Sequence, residues 1–80
     1  MTLLEKMQEA TQRAAVLSVG EDVLITISIR NYGFLVCGQR EVNDKMQRTS
    51  TQLLWEQVDL ARGNPLLSRV ERIAEELGAN

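Results

Sequence analysis

Histidine is absent from this 80-residue chain, and cysteine, proline, tryptophan, tyrosine and phenylalanine each occur once. The missing histidine removes the commonest general base and a common metal ligand. A single thiol, Cys37, permits no disulfide within the chain, and no spaced set of Cys and His could hold structural zinc. No apolar run approaches the ~20 residues that a membrane span requires. The opening Met1-Thr2-Leu3-Leu4-Glu5-Lys6 is charged too early for a signal peptide, so the expected location is the cytoplasm. A basic cluster is missing too. Arg13, Arg30, Arg40, Arg48, Arg62, Arg69 and Arg72 stand singly, and 9 Lys and Arg against 11 Asp and Glu give a net charge of −2. Nucleic-acid binding draws on clustered cations that displace counterions, so nucleic acid is disfavoured as a partner.

The parts of an active site are equally scarce. Cys37 follows Phe34-Leu35-Val36 and reads as an inert core thiol, not a nucleophile in an electropositive setting. Glu71, Glu75 and Glu76 alternate with Arg69 and Arg72 at helical pair spacing, the pattern of a solvated ion-pair face. Gly33 and Gly38 bracket an apolar run and do not open a helix, so they form no dinucleotide fingerprint. The expectation is a protein with no catalytic residues, no cofactor and no metal.

What is present is enough for one small folded domain over residues 1–80, with 44% hydrophobic residues. Leu3, Met7, Ala10, Ala14 and Leu17 recur at steps of four and three, which predicts a helix. Thr2 with Glu5 forms a capping-box pattern at its start, and Ser18-Val19-Gly20 marks its end. Residues Asp22 to Arg30 then read as a strand, followed by Asn31-Tyr32-Gly33 and a second apolar run, Phe34 to Cys37. A three-residue loop closing on Gly33 sets Arg30 opposite Phe34, Ser28 opposite Val36 and Thr26 opposite Gly38. In that register Val23, Ile25, Ile27, Ile29, Leu35 and Cys37 share a buried face. Leu24, Thr26, Ser28, Phe34 and Val36 share the mixed reverse face. The second strand ends at Gly38 or continues to Val42.

A second helix is expected between Asn43 and Gly63, its secure part Gln52 to Ala61 and its start at Asn43, Asp44 or Thr49. Its apolar side carries Leu53, Leu54, Val58, Leu60 and Ala61, with Trp55 pointing away. Gly63-Asn64-Pro65 punctuates the chain: Asn64 caps a third helix that Pro65 opens and Gly78 stops. The predicted fold class is α+β, an amino-terminal helix, a β-hairpin and two carboxy-terminal helices. The expected core is Leu3, Met7, Ala14, Leu17, Ile25, Ile27, Ile29, Leu35, Cys37, Leu54, Val58, Leu66, Val70, Ile73 and Leu77.

A lone hairpin is marginal in water, and no third strand is evident. A homodimer is therefore expected, by joined hairpin edges or packed helices. With no catalytic parts, the expected function is protein binding, as a regulator, inhibitor or chaperone-like accessory protein. The compact acidic chain resembles, in general style, the small accessory proteins of bacteria and their phages. A dimeric DNA-binding transcriptional regulator and a phage or bacterial assembly subunit are the alternatives. Trp55, with Asp59 and Arg62 beside it, and Tyr32 and Phe34 at the hairpin are the candidate partner contacts, since aromatics anchor interfaces.

Overall fold

A computed structural model describes every residue except Glu21 and Asn80. Its elements are α1 (Leu3–Ser18), β1 (Val23–Arg30), β2 (Gly33–Val42), β3 (Lys45–Leu54), α2 (Trp55–Asp59) and α3 (Pro65–Glu76). The strands make one antiparallel sheet in the order β1-β2-β3. The helices pack on one face of it, α1 against β1 and α3, α3 against β2 and β3. The class is α+β, with the amino-terminal helix, the hairpin and the two carboxy-terminal helices all present.

The first helix begins where its sequence says it should. The Glu5 amide donates to Thr2 Oγ1 at 3.2 Å, and the Thr2 amide donates to Glu5 Oε1 at 2.9 Å. This reciprocal cap satisfies two amides that a helix start would otherwise leave to water. The Thr2 backbone amide, and then its hydroxyl, hold the Glu5 carboxyl below its ordinary range. A carboxylate depressed in the folded state stabilises the cap above its unfolded pKa, and that stabilisation fades as pH falls through the folded value. The Thr2 amide resonance should accordingly titrate with a midpoint below that of an ordinary glutamate. Glu5→Gln should abolish the titration, and a midpoint in the ordinary range would show that the cap does not form.

The β1–β2 register differs from expectation by one residue. Val23 pairs with Arg40, Ile27 with Val36, Ile29 with Phe34 and Arg30 with Gly33, leaving only Asn31 and Tyr32 in the turn. A shift of one residue moves a strand's side chains to the opposite face. Phe34 and Val36 thus join Val23 and Ile25 in the core, each wholly or almost wholly buried, while Leu35 and Cys37 turn to the outer face and are half-buried. The expected burial of Leu35 and Cys37 is corrected by this slip. Ile29 keeps its face but lies past the helical cover, and is exposed.

The larger correction is β3. Residues 45–54, expected to begin a helix, extend the sheet and pair with β2 from Val42–Lys45 to Gly33–Leu54. Asn43 and Asp44 both have positive φ, 53° and 62°, as a two-residue hairpin turn with the twist of the sheet demands. Thr49, Thr51 and Leu53 face the helices. Glu76 of α3 accepts a hydrogen bond from Thr49 Oγ1 at 2.8 Å, and Arg69 donates to Thr51 Oγ1 at 2.9 Å. Leu54, expected in the core, ends β3 exposed on the outer face. Three strands with two helices over one face need no second copy to stand, as a lone hairpin would.

The remaining helices lock onto α1. Asn64 accepts from the Leu67 amide at 3.3 Å as the cap of α3, and its own amide donates to Lys6 O and Glu9 Oε1 at 3.0 and 3.1 Å. Arg40 Nη1 donates to the Leu77 carbonyl at 2.7 Å, closing the other end of α3. Ile73 and Leu77 sit directly over Gly38, where any β-carbon would collide with them. Lys6 is buried (1% exposed) inside this assembly, a residue whose placement the apolar pattern of α1 does not announce.

Candidate protein-binding surface

Two-residue periodicity along each strand builds the second face of the sheet. Cross-strand rows run Leu24–Gln39–Arg48, Thr26–Cys37–Ser50 and Ser28–Leu35–Gln52, with Leu54 beside Gly33 at one end and Met46 beside Glu41 at the other. The helices lie on the opposite side. Nothing among the described residues covers these rows, and Leu24, Met46 and Leu54 are 48%, 48% and 50% exposed. Leu35, Cys37 and Gln39 on the central strand are half-buried by their neighbours alone. A shallow depression lies over Leu24, Thr26, Cys37, Gln39, Arg48 and Ser50.

The chemistry of this surface is uniform and mild. Its centre carries hydroxyls, carboxamides, one thiol and leucines. Its charges, Arg30, Glu41 and Arg48, lie at the rims. No group of three or more His, Cys, Asp and Glu able to hold a metal ion occurs among the described residues. An uncharged centre is cheap to desolvate while a charged rim stays wet, the distribution of charge that protein interfaces share.

The residues singled out in the sequence lie elsewhere. Tyr32, Phe34 and Trp55 are brought together at the β1–β2 turn. The Trp55 amide donates to Tyr32 O, and its indole Nε1 to Asn31 O, each at 3.2 Å. The Trp55 ring meets Phe34 edge-on, 4.7 Å between centroids at 65°. Phe34 is fully buried and offers no surface to a partner, while Tyr32 and Trp55 are half-buried. Asp59 and Arg62 are exposed on and just beyond α2, and the Asp59 carbonyl is 3.4 Å from Lys6 Nζ. Leu24, Thr26 and Ser28 lie on the reverse face where the sequence placed them, but the rest of the surface is not legible there because the register slip hides Leu35 and Cys37, and because Ser50 and Gln52 read as helical. The signal available was Val42-Asn43-Asp44-Lys45, two residues that tolerate left-handed backbone between strand-compatible runs. No helix of the described residues is long and apolar enough to cross a membrane. No protein-family model matches the chain, and comparison with curated proteins and with solved structures finds no significant match.

Proposed function

We propose that the protein is a non-enzymatic binding protein that acts by holding another protein against the open face of its sheet. The observation that carries this reading is that face itself: three strands wide, bare of helix, uncharged at its centre and charged only at its rims. Leu24, Met46 and Leu54 stand exposed on it around the half-buried Leu35 and Cys37, apolar side chains that a docked partner would cover. The partner's complementary patch would be flat, with hydrogen-bonding groups over Thr26 and Ser50 and a carboxylate within reach of Arg48 or Arg30. Several cations are engaged within the fold: Arg40 holds the end of α3, Arg69 holds β3, and Arg72 pairs with Glu76 at 3.5 Å. That employment of arginines favours a protein partner over DNA.

The test is capture from a lysate of the source organism by the immobilised wild type and by Leu35→Lys. The substitution places a charge on the outer face and touches no core residue, so circular dichroism should be unchanged. A protein retained by the wild type and reduced at least tenfold on the variant is the expected result. Equal capture by both overturns the assignment of the face. Salt-sensitive retention of random duplex DNA with no protein captured overturns the reading as a whole.

A further inference from the structure

The two edges of the sheet are unequally protected. At β3 the edge carries Lys45 and Arg48, and Thr49 and Thr51 are tied to α3. Charges and overlying helices of this kind are how sheets prevent pairing with another chain. At β1 the run Val23-Leu24-Ile25-Thr26-Ile27-Ser28-Ile29 has no charge, no proline and no glycine.

One hydrogen bond fixes which backbone groups point off that edge. The Ile25 amide donates to Ser18 Oγ at 3.0 Å, so it is turned away from β2. Strand alternation turns the N–H and C=O of Ile27 and Ile29 the same way, and neither has a partner among the described residues. Ile29 is also 62% exposed. Above the edge runs the flank of α1 that carries Ser18. Thr11 and Leu4, seven and fourteen residues earlier, lie along that flank, and Leu4 is 61% exposed. Met7 and Gln8 complete a shallow groove there.

We infer that β1 pairs antiparallel with β1 of a second copy, in a register centred on Ser28, giving a continuous six-stranded sheet. Ser18 selects the register. Because it occupies the Ile25 amide, Ile27 and Ile29 are the residues between there and the hairpin turn whose outward N–H and C=O are both open, and an Ile27–Ile29 pairing about a two-fold axis uses all four of those groups in each copy. That axis makes Ser28 face Ser28 in a non-hydrogen-bonded pair, sets exposed Ile29 beside the other copy's Ile27, and brings the two α1 flanks together over the seam. Charge agrees: Arg30, the strand's one ionised side chain, meets Thr26 and not a second arginine. In that register Thr26 to Arg30 of the two copies overlap, a span of roughly 17 Å. A seam of that length and two layers deep buries on the order of 300 Å² per copy, and a total of about 600 Å² is that of a weak dimer that forms as concentration rises. A second copy fits better than a foreign peptide because the same strand supplies both halves of the pairing.

The inference concerns a different surface from the proposed partner site, and its failure leaves that site untouched. Sedimentation of the wild type at rising concentration should show the mass climbing from 9.0 kDa toward twice that value. Ile29→Lys, an exposed position, should keep the chain at 9.0 kDa with unchanged circular dichroism. Ser28→Cys in a Cys37→Ser background should oxidise to a covalent dimer, because non-hydrogen-bonded antiparallel pairs hold Cα atoms about 4.5 Å apart, within disulfide reach. A wild type that stays monomeric overturns the inference. So does a dimer that survives Ile29→Lys, and one that forms no cross-link at Ser28→Cys overturns the register.

Discussion

Lys6→Met should lower the free energy of unfolding by about 3 kcal/mol, a large share of the roughly 4–12 kcal/mol available to a domain of this length. Lys6 Nζ donates to Val58 O and Ala61 O at 2.7 Å each, with Asp59 O at 3.4 Å. An ammonium has three donors and no acceptor, and here all of them meet backbone carbonyls around the end of α2. Those carbonyls have no helical partner of their own because the helix stops beneath them. Methionine keeps the length and apolar stem of the side chain while deleting every donor. Each buried acceptor left unpaired costs about 1–3 kcal/mol, against which the variant avoids desolvating the ammonium group. The carbonyl losses win because there are several of them around a single cation. Urea denaturation followed by the fluorescence of Trp55, which opens α2, measures the loss directly. An unchanged midpoint would mean that water or a rearranged 58–61 segment satisfies the carbonyls as well as the lysine does.

The burial of Lys6 is not legible in the sequence, although α1 itself is, to its last residue. The periodic signal reports apolar side chains, and Leu3, Met7, Ala10, Ala14 and Leu17 gave the stripe correctly. A lysine beside that stripe reads as one that reaches out to water. Its burial depends on carbonyls more than fifty residues away, and no local pattern encodes them. The same division runs through the whole chain. Caps and stops are local chemistry: Thr2 with Glu5, Asn64 with Pro65, and Gly78 at φ 73° were all readable. Strand register and strand number are tertiary. Thr49, Ser50 and Thr51 are indifferent helix formers, and they become a strand because β2 offers an edge and α3 offers Arg69 and Glu76 to two of their hydroxyls. The open face depends on both of these tertiary outcomes at once, so the sequence yielded its residues without their common plane.

Gly33 is where one of those tertiary outcomes is pinned, and Gly33→Ala should cost about 4 kcal/mol. Its φ of 147° belongs to a region that side chains rarely enter, worth about 1–3 kcal/mol of strain. An added β-carbon would also collide with the Leu53 carbonyl oxygen and stand 2.8 Å from the Trp55 nitrogen and 2.9 Å from the Leu54 carbonyl carbon. All three are backbone atoms, so no rotamer change relieves the contact, and overpacking of this kind adds about 1–3 kcal/mol. Gly33 can approach so closely because β3 ends across from it and turns at once into α2, where the Trp55 amide meets Tyr32 O. Moving that junction would pull the indole off Phe34 and loosen the cover of the core. Trp55 emission should therefore shift to the red in the native baseline of Gly33→Ala, in addition to the earlier urea midpoint. Gly63→Ala is the control, since a β-carbon there meets nothing within 4 Å, and it should stay within about 0.5 kcal/mol of the wild type. If the two variants prove equally stable, the β1–β2 turn does not sit against the start of α2, and the two-residue loop that sets the register of the sheet is wrong.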